Sequence, residues 1–219
     1  MSQNLVVQSV NIVVLGKFNP SIFHPAWFAA QNLIRAKEAD AANVQIVHPE
    51  ASFFQLDWCE VRVVRERFQV GTLQEPYFEP LRDLASGVFS LLSHTPVQAL
   101  GINKQYQFQF ASEKVWHAVG DRLAPKDIWK DVLDSPGTRQ LTIEGQRPDN
   151  KSGHIHVLLE PSNDLGITIR VNDHYELSHS VSGSSGIETL STILSENWNE
   201  SMQRSDKIAK KIAGLGDSL

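Results

Sequence analysis

His154 and His156 stand two apart in "HIH". On a strand, side chains alternate between faces, so both imidazoles point the same way, as ligands of one metal must. His174 or His179 would have to add a third nitrogen. Neither an HExxH pattern nor a carboxylate at ligand spacing accompanies the pair. The sequence therefore puts the two histidines on a solvent face, with Ile155, Val157 and Leu159 turned to the core, and it calls for no metal.

Other reactive side chains are equally isolated. Cys59 is the only cysteine and sits beside Trp58 in a strand-like stretch, where a thiol is buried and inert. A lone cysteine also excludes an intrachain disulfide and a thiolate zinc site. "SVSGSSGIE" sets a Ser/Gly-rich loop before a helix, where free N–H groups can hold phosphate. It lacks the lysine of a P-loop and reads as a loop ending in an N-cap, with Ser185 and Glu188 at capping-box spacing. No GxSxG elbow is present. Asp173 and His174 are adjacent, so on a strand they face opposite ways and form no dyad. No cofactor is expected.

The densest charge lies in "EVRVVRERF", which holds Arg62, Arg65 and Arg67. Laid without a gap on "DLGITIRVNDHYEL" (164–177), "DWCEVRVVRERFQV" (57–70) shares its opening Asp, a Val and an acid-x-aromatic ending. That alignment matches Glu66 with Asp173 and Phe68 with Tyr175. It also creates a conflict of parity. Ile167, Ile169 and Val171 make a clean inward face, but their counterparts are Glu60, Arg62 and Val64. Either the strand carries a bulge with solvated arginines, or Val61, Val63, Arg65 and Arg67 lie on the free face as a contact surface for an acidic or apolar partner.

These residues must be held by regular elements. "LVVQSVNIVVL" reads as a strand and "HPAWFAAQNLIRA" as a helix, with Pro25 at a first helical position and Ala26, Ala30, Leu33 and Ile34 on one stripe. Three strands follow in "NVQIV", "SFFQLDW" and "CEVRVVRERFQV". A helix then carries Phe78, Leu81, Ala85, Val88 and Leu92 on one face. The order recurs. "VQALGINKQYQFQF" alternates Tyr106, Phe108 and Phe110 with glutamines, a strand period. "SEKVWHAVGDRLAPKDIWKDVL" is helical and broken near Pro125. "TRQLTIEG", "GHIHVLLEP" and "GITIRVNDHYEL" are strands, and a closing helix carries Ile187, Leu190, Leu194 and Trp198. "VQSVNI" at 7 aligns with "VQALGI" at 97. The expectation is an α+β protein of two similar strand–helix–three-strand–helix halves, 1–94 and 95–219, in one compact unit. They share a curved antiparallel sheet with helices on one face.

That order resembles the TATA-binding-protein-like (helix-grip) arrangement, which leaves the concave side of its sheet free for a partner. The chain lacks the paired Phe wedges and basic strands of the DNA-binding members. A second resemblance rests on "RERFQV", "VQALGIN", "IRVNDHYEL" and "ETLSTILSENWNESM". These are similar to segments of a family of uncharacterised bacterial proteins, sporadically distributed among species, although "GINKQY" departs from its usual Gly-Leu-Arg-Tyr. The patchy distribution implies an accessory or antiviral-defence gene and brings no activity with it.

With 219 residues, a net charge of −5 and a pI near 5.9, the chain lacks the basic balance that phosphate neutralisation requires. It shows no signal peptide and no stretch of membrane-helix length, so a cytoplasmic protein is expected. The function expected from the sequence is non-catalytic binding or regulation through a protein partner or a second copy. The alternatives are a helix-grip pocket for a small apolar ligand, lined by Trp27, Trp116, Trp129, Phe53 and Phe54, nucleic-acid binding through the concave face, and an enzyme of unfamiliar type.

Overall fold

The computed structural model describes residues 3–177 and 186–217. The first half runs β1 (Gln3–Gly16), α1 (Pro25–Ala30), α2 (Ala36–Asp40), β2 (Asn43–His48), β3 (Ala51–Gln55), β4 (Glu60–Val64), β5 (Arg67–Thr72) and α3 (Phe78–Leu91). The second runs β6 (Val97–Phe110), α4 (Glu113–Leu123), β7 (Leu141–Gln146), β8 (Gly153–Ser162), β9 (Gly166–Glu176), α5 (Gly186–Thr192) and α6 (Trp198–Ala213). A π turn at Ile193–Asn197 joins α5 to α6. All nine strands form one antiparallel sheet in the order β2-β3-β4-β5-β1-β6-β9-β8-β7. The fold is α+β.

Each half places its first strand at the centre and its last strand beside it. The central strands pair with each other so that Ile12 meets Ile102. Those two isoleucines close the matched hexapeptides, so a pseudo-twofold axis passes through their pair. Beside it, Ile12 meets Val70 and Ile102 meets Asp173.

Alternation fixes which side is covered. Val10, Ile12, Val14, Phe68, Val70, Leu100, Ile102, Ile169 and Val171 are buried and point one way. Helix α3 covers β1 and β5, while α5 and α6 cover β6 and β9. Leu81, Leu84, Ala85, Val88 and Phe89 form the buried stripe of α3. Ile187, Leu190, Leu194 and Trp198 are buried as their helical spacing requires. Around Phe18, Phe23, Phe28, Phe54, Phe68 and Phe89 the first half builds an aromatic core. Each fully buried side chain of this kind contributes about 1.5–3 kcal/mol.

Several expectations are corrected. Residues 60–72 are not one strand. They reverse at Arg65–Glu66 into the β4–β5 hairpin, giving five strands in the first half instead of four. The reason is apolar registry: folding back sets Val63 against Phe68 and Val61 against Val70, burying all four. No bulge interrupts β4, and Val61 and Val63 are core residues, 0 % and 1 % exposed, so neither lies on a contact surface. Arg65 and Arg67 are exposed. Phe68 does not correspond to Tyr175. It pairs with Val14, and the register about the twofold makes Val171 its counterpart. Glu66 in the hairpin turn likewise does not correspond to the buried Asp173.

The helix read across 25–34 stops at Ala30, because Asn32 adopts the left-handed region at φ 59, and Leu33 and Ile34 follow outside it. Pro25 holds its first turn. Ser185, read as a cap, and His179, weighed as a third nitrogen for a metal the sequence did not call for, lie outside the described residues.

Candidate functional site

Since every described helix that packs on the sheet does so from one side, the opposite side chains of the nine strands form a continuous helix-free surface. Two rows of register partners cross it. One runs Glu144, His156, Asn172, Asn103, Asn11, Gly71, Glu60, Gln55. The next runs Gln146, His154, His174, Gly101, Val13, Gln69, Arg62, Phe53. Amides dominate the centre, joined by the half-buried Gln105 and Gln107. Several polar groups near the rim are paired within the chain: Arg62 with Glu60 at 3.0 Å, Arg170 with Glu160 at 2.7 Å, and Glu144 with His156. Arg65 pairs with Glu50. Arg62 also lies over the Phe53 ring, 6.0 Å from its centroid.

The histidines gather at the β8–β9 end. His154 lies between two other rings, with centroids 4.5 Å from His156 and 4.4 Å from His174, the latter stacked. Gly153 makes this approach possible. Its φ is 131°, and a Cβ there would stand 2.1 Å from the His174 carbonyl oxygen, so only glycine lets β8 close on β9 at this point. Burial, reinforced by the neighbouring His154, holds the His174 imidazole below its usual pKa. The hydrogen bond with His156 holds the Glu144 carboxyl below the usual range. Glu144 comes from β7, directly across from His156. It is the carboxylate that linear spacing around "HIH" did not reveal. Glu144, His154 and His156 bring one ligand atom each to within 4.8 Å of the others.

Beneath this corner, on the helix side, a charge network pins the chain. Asp173 is 0 % exposed and accepts from Arg147 and, at 2.5 Å, from Arg204 of α6. Arg147 also donates to Asp149 through two nitrogens, at 2.9 and 2.7 Å, and to the His174 carbonyl at 3.2 Å. Arg204 completes the circuit to Asp149 at 3.1 Å. The Arg147 guanidinium lies 3.5 Å from the Tyr175 ring centroid. Two arginines and two aspartates balance, so every buried charge has a partner, as burial demands. Burial works against the Asp149 charge, but the hydrogen bonds and charge of Arg147, the Lys151 backbone N–H and the charge of Arg204 together outweigh it and hold that carboxyl low. The network fixes the entry to β8 and thereby the histidine corner. As alternation requires, Asp173 and His174 lie on opposite faces.

Other candidates disperse. Cys59 is buried, and burial together with nearby Glu38 and Glu60 pushes its thiol up to about 12, so it is no nucleophile. Of the proposed pocket aromatics, Trp27 and Phe54 pack in the first core, Phe53 lies on the helix-free face, and Trp129 is exposed. Trp116 alone lines a cleft, of about 220 Å³, with Val119, Leu123, Leu141, Leu159 and Ile167. Its indole N–H donates to the Gly166 carbonyl at 2.9 Å. No helix among the described residues is long and apolar enough to cross a membrane. Compared with known proteins, the chain matches no family model and no curated protein.

Proposed function

We propose that this is a non-catalytic binding protein whose helix-free sheet face receives a protein partner, with Arg65 and Arg67 at the rim of the contact. The observation that supports this reading is the character of the face: the Arg62–Glu60 and Arg170–Glu160 ion pairs towards its edges and an amide ladder, Asn11–Asn103–Asn172, at its centre. Amides offer both donors and acceptors, which suits a polypeptide. A nucleic-acid backbone would call for a basic stripe, and the net charge of −5 runs against one.

Affinity capture on wild type and on two variants tests the reading. The same specific protein should be enriched by wild type and by Arg82→Glu on α3, and lost with Asn103→Arg. A partner retained by Asn103→Arg would place the contact elsewhere. Arg65→Glu combined with Arg67→Glu should also abolish association while moving stability by less than about 0.5 kcal/mol, because both side chains are exposed. Unfolding of that double variant would make the arginines structural. Sub-micromolar, salt-sensitive binding to duplex DNA would replace the protein reading with a nucleic-acid one.

The cleft beside α4 supports a second reading, a small apolar ligand bound against Trp116. Quenching of tryptophan fluorescence by such a ligand, lost in Trp116→Leu, would support it.

A further inference from the structure

We infer that Glu144, His154 and His156 form a binding site for a divalent transition-metal ion of the zinc type. The three donors come from two adjacent strands. Glu144 and His156 are register partners, and His154 is the next residue of β8 on the same face. Their ligand atoms lie within 4.8 Å of one another. Around a tetrahedral zinc with bonds of about 2.0–2.2 Å, ligand atoms stand roughly 3.4 Å apart. Closing that difference requires side-chain rotation only, since Glu144 is exposed and the histidines are half-exposed.

The donor set selects the ion. Two imidazoles and one carboxylate suit zinc and its first-row neighbours, whereas calcium and magnesium require oxygen ligands. The Glu144–His156 contact already gathers two donors, and a metal would displace the proton between them. His174, stacked on His154, is a positioning residue that restrains that ring on the side away from Glu144. The buried Arg147–Asp173 network holds the backbone beneath, so the strands carrying the donors are fixed before any ion arrives. Three protein donors leave one tetrahedral position open. It faces the helix-free surface, where water or a further donor can reach it. This inference does not rest on the protein-partner reading.

The test is a titration of the full, tag-free, EDTA-treated chain with Zn²⁺, with Co²⁺ as a spectroscopic probe. One Zn²⁺ per chain should bind, and Co²⁺ should develop visible absorption. Affinity should fall by more than about 100-fold in His154→Ala and His156→Ala, and by about 10–100-fold in His174→Phe, as for a residue supporting a ligand. Metal-free melting temperatures of the variants should match wild type. If a histidine variant does not fold, Glu144→Gln and the Zn²⁺-induced shifts of the His154 and His156 ring signals in wild type decide. Absence of binding, binding that survives in the histidine variants, or ring shifts confined to other histidines overturns the site.

Discussion

Where Ile12 meets Val70, the first half presents hydrocarbon to its helix. At the related place, Ile102 meets Asp173 and the second half presents a buried carboxylate. The contrast repeats along the strands: Val14 of β1 corresponds to Lys104 of β6, which is 6 % exposed and donates to Asp206 of α6 at 2.7 Å. Tyr106 donates to the same oxygen at 2.7 Å, and burial followed by that hydrogen bond pushes its phenol far above its usual pKa. The two long helices differ accordingly. Helix α3 turns Leu81, Leu84, Val88 and Phe89 inward, while α6 turns Ser201, Ser205, Ala209 and Ala213 inward and docks through Arg204 and Asp206. One architecture is thus held by apolar burial on one side and by matched charge on the other. Apolar burial tolerates imprecise contacts, whereas a buried ion pair works only if every member is present and placed. The difference teaches why the precise histidine corner lies in the second half, above the charge network.

Exchanging the two chemistries is the sharpest way to break this comparison. The largest effect is expected for Val70→Asp, which would bury a carboxyl among the aromatic core without an arginine to meet it. Stability should fall by on the order of 5 kcal/mol in denaturant titration. A loss below about 1 kcal/mol would show that the first half tolerates charge after all. Next comes Asp173→Val, expected to cost about 3–5 kcal/mol because Arg147 and Arg204 lose their shared acceptor. A neutral outcome would reduce the network to an ornament of an apolar core.

The smallest effect is pH-dependent. The Asp149 carboxyl titrates below its ordinary value in the folded chain. Its contribution is present above the unfolded value of about 3.9 and is lost as pH falls through the lowered folded value. Melting curves of wild type and Asp149→Asn should therefore differ at pH 6 and converge on acidification. A gap that stays constant with pH would mean that Asp149 acts through packing alone.

Much of the fold was legible because its signals are local. The Tyr106–Phe108–Phe110 alternation and the α3 stripe each follow from the repeat of one element. The β4–β5 turn was hidden because Val61 and Val63 choose their face only once Val70 and Phe68 lie opposite. The candidate site was half legible: "HIH" announced two imidazoles on one face, but Glu144 arrives through β7–β8 pairing, 12 residues from His156.

By itself, the sequence determined the α+β class, the order of elements in the second half, the shared face of His154 and His156, and the burial of the α3 and α5 stripes. All of these depend on the pleat of a strand or the turn of a helix, periods that a few neighbouring residues specify. Only the tertiary structure decided that Asp173 would meet Arg147, 26 residues away, and Arg204, 31 away. It alone decided that Phe68 would answer to Val171, and that the histidines would gain a carboxylate. Those outcomes depend on strand register and helix docking, where a shift of one residue turns every side chain to the other face, and no local pattern records which register wins.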